Sequence, residues 1–493
     1  MTGEEIAGRY VVLDHGADVP LYIQVSRGLL RAIQDGHFRN GKLPATRQLA
    51  QFLNLGINTI SLSYQELESQ GVIYSAQRSG WFVNEEFSDL HVDQDAEPVQ
   101  TAGAQWQHKL FGTHTPGDPP EVRRSTNDAT VSYPFITASL PRESFPVSTW
   151  IRAARDAFEG PSRAFSVYDN FGADDPFLVE MILKELLPAR GIFVGPENIL
   201  LTAGTQHALH MIAQVTMRPG TQVAFEDPGY PDARHSFLRS GAELFPVPID
   251  KGGLMLDEIP DAAEIIYTTP SHQLPSNVSM STPRKVRLHQ MAAATGKVII
   301  EDDYDSEMRF VGQSSAPIAA NGLSNVIYVS GFSKYLGAIC RIAFVVAHAD
   351  VIAAIRGCRR YQIRNLSGHE QRTLAHFISS GGYERQIRSL RRIAKRRWQS
   401  CNRLVSKHLP GWQMPPSSGG LNLWIKAPGD LDTTELAARL RRRRVAIEPG
   451  RVFFHDPERG RSFIKLGFLL MDEERQEAGL KILAQTAAEL AAE

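Results

Sequence analysis

Apolar residues along the first 84 positions recur every three to four residues, and after Glu197 they gather instead into short continuous runs separated by helical stretches. In the first block Val25, Leu29 and Ile33 mark one face of a helix that begins near Pro20. Leu49 and Leu53 continue the pattern after "KLPATR", and Ile60, Tyr64 and Leu67 mark a third helix after the turn "NLGIN". The block closes in "GVIYSAQRSGWFV", two short β-like runs joined around Arg78, Ser79 and Gly80. Three short helices and a hairpin predict a winged helix-turn-helix over residues 1–84; a small helical packing module without a DNA role fits the same pattern.

Residues 85–130 are polar, rich in Pro and Gly, and without sustained periodicity. They read as a linker with a short ordered piece around Trp106 to Phe111. Residues 131–493 form a much larger block whose runs "NILL", "QVAFE", "EIIYTT", "KVII", "NVIYVS" and "IAFVVA" alternate with helical segments. That order predicts an α/β domain with a mostly parallel sheet. The runs lead into "TAGTQ", "DPGY", "PSHQLP", "EDDYD" and "GFSK", and ligands of such sheets sit beyond the carboxyl ends of the strands. Each segment alone is ordinary turn chemistry; together they predict one cleft.

The residues in those segments have complementary chemistry. Gly204, Thr205 and Gln206 stand where a strand turns into a helix, whose free N–H groups favour a phosphate; the alternative is a tight turn capped by Thr202 or Thr205. Lys334 forms an imine with an aldehyde once desolvated, and Asp302 keeps a ring nitrogen protonated. Tyr304 donates to a ring oxygen, Tyr230 stacks on a ring face, and Arg341, seven residues after Lys334, pairs with a phosphate. This set describes a site for pyridoxal 5′-phosphate (PLP), whereas Lys334 by itself reads as a solvated loop lysine.

A net charge of −1 excludes a chain that coats nucleic acid by bulk electrostatics, so any such contact is local. No apolar run is long enough to span a bilayer, and Cys340, Cys358 and Cys401 have neither paired nor metal-like spacing, which fits a reducing, cytoplasmic setting and no metal site. Basic runs stand out in "GCRRYQIRN", "ERQIRSLRRIAKRRW" and "LAARLRRRRVAIEPG". In the middle run Ile387, Leu390 and Ile393 fall at helical spacing, so it reads as an amphipathic helix with a solvated face, an auxiliary DNA contact being the alternative.

The stretch from "LYIQVSRGLL" to "RSGWFV" resembles the GntR-type DNA-binding domain throughout. The resemblance implies DNA contacts from Arg47, Asn58, Thr59, Ser61, Ser63, Arg78, Ser79 and Gly80. Where that family often carries Arg, this chain has Ile57 and Leu62, so the recognition helix from Asn58 to Glu68 contains no Lys or Arg. From Val131 onward the chain resembles fold-type I aminotransferases, and as a whole it is similar to the MocR subfamily of GntR regulators. That resemblance implies Lys334 as the Schiff-base lysine, Asp302 and Tyr304 as partners of the pyridine nitrogen and ring hydroxyl, and Tyr230 as the stacking ring. It further implies Gly204, Thr205, Gln206, Ser333 and Arg341 as phosphate contacts, with Tyr168 reaching the cofactor of a neighbouring subunit in a head-to-tail homodimer.

Three departures qualify the match. "TTPSHQLPSN" replaces the Asn-Pro-x-Gly turn, bringing His272 or Gln273 near the ring hydroxyl unless His272 is simply a satisfied loop histidine. Ser330 and Gly331 replace the usual Gly and Thr before "FSK", and Lys465 stands where the aminotransferase pattern has the Arg that clamps a substrate carboxylate. A point charge in place of a planar fork favours a ligand with a sulfonate, a distant carboxylate or no anion, Arg461 being a second cation nearby. The expected function is a PLP-dependent regulator that binds operator DNA and senses a small amino compound through an external aldimine, with at most a half-transamination. A working aminotransferase, and a regulator for which PLP is itself the signal, are the two alternatives.

Overall fold

The computed structural model describes residues 2–38, 41–76, 79–84, 131–136, 140–170, 172–312 and 315–493. Two compact units divide the chain between Gly117 and Asp118. The expected linker over 85–130, its short piece at Trp106 to Phe111, and Arg78 lie outside the described residues.

Among its described residues the first unit holds four helices, α1 (Gly3–Tyr10), α2 (Leu21–Gln34), α3 (Thr46–Phe52) and α4 (Ile57–Ser69), followed by the antiparallel hairpin of β1 (Ile73–Ala76) and β2 (Gly80–Val83). Periodicity predicts α2 to α4 and the hairpin but not α1, so the three-helix expectation is one short. Helix α1 starts at a capping box: Thr2 Oγ1 accepts from the Glu5 amide while Glu5 accepts from the Thr2 amide at 2.7 Å. Its Ala7 joins Val25, Leu29, Ile33, Leu49, Ile60, Tyr64 and Leu67 in one core. Gly28 is required there, since a Cβ would stand 2.8 Å from the Cα of Val11 and 2.9 Å from the carbonyl oxygen of Tyr10.

The second unit is built on an eight-stranded sheet. In chain order after β3 (Tyr133–Pro134), its strands are β4 (Ile199–Thr202), β5 (Gln222–Asp227), β6 (Glu243–Asp250), β7 (Gly253–Leu254), β8 (Ile265–Thr268), β9 (Val298–Asp302), β10 (Val326–Gly331) and β11 (Ala343–Val346). They lie in the order β4-β11-β10-β9-β8-β5-β6-β7. Strands β10, β9, β8, β5 and β6 pair in parallel, and β11 runs antiparallel to both β10 and β4. The runs read in the sequence are buried on both faces, which is why they lack a two-residue alternation. Helices α5 (Thr205–Thr216) and α6 (Thr282–Thr295) belong to the two separate apolar clusters on this sheet.

Two long helices, α7 (Gly382–His408) and α8 (Glu473–Ala491), accompany a smaller antiparallel sheet of β12 (Asn422–Lys426), β15 (Phe463–Gly467) and β14 (Glu448–Pro449). Strand β13 (Val445–Ala446) pairs in parallel with β3. The amphipathic reading of the middle basic run holds: Ile387 and Leu390 are buried and Ile393 half-buried in α7. Among the described residues no helix is long and apolar enough to cross a membrane.

Candidate functional site

Because β4, β5, β8, β9 and β10 point the same way, their carboxyl ends share one edge of the large sheet. The reversed strand β11 enters at that edge, Ala343 pairing with both Thr202 and Gly331. Arg341 therefore arrives beside the turn that follows β4. At that turn Gly204 has φ 89° and makes no side-chain cap, so the first amides of α5 are left to an external acceptor; neither Thr202 nor Thr205 caps the helix. That φ is what calls for glycine here, and a Cβ built on Gly204 would lie 3.8 Å from Arg341 Nη2, which places the guanidinium beside the helix start. Tyr230 shares its hydroxyl between Gln206 Oε1 at 3.2 Å and Asp232 Oδ2 at 3.0 Å. Ser333 donates to the carbonyl of Cys340 at 3.0 Å, which ties the segment carrying Lys334 to the one carrying Arg341.

Asp302 ends β9 fully enclosed. Its Oδ2 accepts a 2.9 Å hydrogen bond from the Tyr267 hydroxyl, and its Oδ1 is buried without a hydrogen-bond partner among the described residues. Burial pushes this carboxyl up to about 7; Asp303 adds to the push, while the Tyr267 hydroxyl and the Lys334 ammonium oppose it. Lys334 Nζ lies 5.8 Å from the centre of the Tyr304 ring. Tyr304 donates to the main-chain carbonyl of His272 at 2.9 Å, and burial holds its phenol well above the usual range.

The "PSHQLP" loop differs from expectation in one of its two candidates. The Gln273 amide is spent on the loop and on the end of β5: Nε2 donates to Pro228 O at 2.7 Å, Leu274 O at 2.8 Å and Glu226 at 3.2 Å, while Oε1 accepts from Ser276. Glu226, missed in the sequence, is the hub, taking the hydroxyls of Thr268 and Thr269 at 2.6 and 2.7 Å. His272 is buried, with Nδ1 2.8 Å from Asp305 Oδ1 and Nε2 lacking a hydrogen-bond partner among the described residues. Strand-end position is the signal that finds Asp302; nothing local to Glu226 announces its three partners.

Lys465 lies on β15 of the smaller sheet, directly across from Glu448 of β14, and the two side chains form a 2.5 Å ion pair with each 3% exposed. Its ammonium also stands 5.2 Å from the centre of the Phe453 ring. Arg461 sits 3.6 Å from Asp430 and 3.8 Å from Asp432, paired at the surface as a solvated charge. Tyr168 is 72% exposed at the end of a short helix.

In the first unit Arg47 on α3, Asn58 on α4, and Ser79 and Gly80 at the hairpin are exposed, and Thr59 and Ser61 are half-buried. Ser63 departs from the expected contact set. It is fully buried and donates to the Thr59 carbonyl at 2.8 Å, because it shares the inward face of α4 with Ile60 and Tyr64. Ile57 and Leu62 are half-exposed apolar residues on the outward face.

Residues 21–83 match the gntR family of bacterial regulatory proteins, and residues 140–467 match the class I and II aminotransferases. The HTH-type transcriptional regulator TauR of Rhodobacter capsulatus is 34% identical over 92% of this chain and 93% of its own length. The probable rhizopine catabolism regulatory protein MocR of Rhizobium meliloti is 30% identical over 96% of this chain and 95% of its own. A multiple substrate aminotransferase from Thermococcus profundus superposes with a TM-score of 0.69 at 24% identity, over 74% of this chain and 93% of that one, a likeness of fold.

Proposed function

Since this chain belongs to the MocR-like gntR regulators, DNA-binding transcriptional regulators whose second unit is a class I and II aminotransferase domain, we propose that this unit holds pyridoxal 5′-phosphate and senses a small amino compound. The observation that carries the reading is Asp302 Oδ1, a buried carboxylate oxygen left without a partner beside Lys334. Such an oxygen is costly unless a donor arrives, and a protonated pyridine nitrogen is that donor. The amides of Thr205 and Gln206 with Arg341 would hold the phosphate, Tyr230 the ring face and Tyr304 the ring hydroxyl. When bound, the cofactor supplies an aldehyde that captures amines and a ring that accepts electrons.

The chain's own residues then divide the work. Asp302 would keep the ring nitrogen protonated, Lys334 would hold the aldehyde and, when released, carry a proton on its amine, and the start of α5 would hold the phosphate. The Lys465–Glu448 pair supports a ligand without an α-carboxylate, because an anion at Lys465 has to compete with a carboxylate already in place. The exposure of Tyr168 supports its reaching a second subunit in a head-to-tail homodimer. Ligand changes DNA binding only by as much as it distinguishes two arrangements of the protein.

Lys334→Ala is expected to lose the visible band of lysine-bound cofactor and the transcriptional response to amine, while retaining DNA binding; an unchanged amine response in that variant overturns the proposal. The recognition helix without Lys or Arg favours one rival, an aminotransferase with a vestigial winged helix, and sustained turnover of an amine with a keto acid would decide for it. A response of operator binding to PLP alone, unaltered by amines, would make the cofactor itself the signal.

A further inference from the structure

Helix α7 carries nine Lys and Arg residues against a single carboxylate, Glu384. The nine divide by surroundings. Toward the carboxyl end Arg397 pairs with Glu143 at 3.0 Å, Arg403 with Glu473, and Lys407 with Glu477 at 2.7 Å, so the fold supplies an acid to each. Earlier in the helix Arg385, Arg388, Arg391, Arg392, Lys395 and Arg396 are all exposed, and among the described residues none has a carboxylate within ion-pair reach. Arg385 and Arg391 donate only to the main-chain carbonyls of Ser380 and Arg309, at 3.0 and 2.9 Å, which leaves their charge uncompensated.

The spacing is that of one face. Positions 388, 391, 392, 395 and 396 are related by three and four residues, while Ile387, Leu390 and Ala394 turn inward. Like charges at such spacing repel, so this face destabilises its own helix unless a polyanion meets it. The stripe from 385 to 396 runs about 17 Å, a length over which duplex DNA presents about ten phosphates. The chain as a whole has a net charge of −1, so the stripe is a local feature and not a general basic surface.

We propose that this face of α7 is a sequence-independent contact for the phosphate backbone of duplex DNA, made by the aminotransferase-like unit itself. DNA is the polyanion a gntR regulator already meets. The contact also provides what α4 lacks, since phosphate-neutralising side chains supply much of the affinity and nearly all of its salt dependence.

The test uses the full chain and a random-sequence duplex, titrated across a potassium chloride series. Replacing Arg388, Arg392, Lys395 and Arg396 together by Gln is expected to lower the slope of log affinity on log salt by at least about 2, each lost phosphate contact counting for about 0.9, and to weaken low-salt binding more than about tenfold. Arg388→Lys, Arg392→Lys and Arg396→Lys together are expected to keep the slope, which separates lost charge from a damaged fold. Arg403→Gln with Lys407→Gln, on the paired part of the helix, is also expected to leave it unchanged. An unaltered slope and affinity in the four-Gln chain overturns the proposal. So does loss of binding to vesicles of anionic phospholipid with DNA binding intact, which would assign the face to a membrane surface.

Discussion

Lys465 and Glu448 pair where both are almost wholly out of water. Removing one member of such a pair strands the other charge, and the stranded charge costs more than the pair contributes. Lys465→Met is therefore expected to destabilise the second unit by about 3–5 kcal/mol in denaturant unfolding, and adding Glu448→Gln to recover much of that loss. A double variant no better than the single would show that Glu448 is not what Lys465 leaves behind. Asp302 obeys a different balance. Folded, it keeps its proton up to about pH 7, whereas an unfolded aspartate releases it near about 3.9, so as pH climbs between those values the folded state loses the advantage of the bound proton. In the cofactor-free chain Asp302→Asn has nothing to titrate, and its stability relative to the native chain is expected to rise over that interval by up to about 4 kcal/mol. Urea midpoints that track each other from pH 4.5 to 8 would refute this. Lys334 and Asp302 are legible in the sequence because Asp302 ends an apolar run and Lys334 stands in the short turn just after one; Glu448 is not, since its partner is 17 positions away and only strand register brings them opposite.

At the scale of elements, hydrophobic period identified the helices with a wide apolar face and the strands buried on both sides, and it failed where packing is made by small residues. Helix α1 buries little more than Ala7 and rests on Gly28 of α2, so no stripe marks it; the Thr2 and Glu5 capping pair was the available signal. Ala normally stabilises a helix interior relative to Gly, but at position 28 the added methyl meets the Val11 backbone, and the clash wins. Gly28→Ala is expected to destabilise the first unit by about 1–3 kcal/mol and to lower DNA affinity, measured by thermal unfolding and operator binding. A more stable variant would mean that α1 is not seated on α2. Strands β3, β13 and β14 leave no pattern for another reason: each is two residues long, too short to carry any period.

For the whole molecule, the division into two units and the parallel sheet follow from the change of pattern along the chain, while the partners of Glu226 and the spent amide of Gln273 appear only once the loops are folded. Strand β11 carries a consequence for how this chain can be re-cut. Second from one edge of the large sheet, it runs against both neighbours, so the backbone that leaves with Lys334 returns with Arg341 after a short arc and never quits the cleft edge. A circular permutant with new termini at Gly337 frees the two residues from each other and is expected to lose PLP retention on dialysis. New termini between Lys251 and Gly252, in the hairpin of the far edge strands β6 and β7, leave that arc whole and are expected to preserve it. Equal retention by both permutants would show that the arc's continuity is dispensable; the expected contrast makes the reversal, more than any one side chain, the part of the architecture that tolerates no new end.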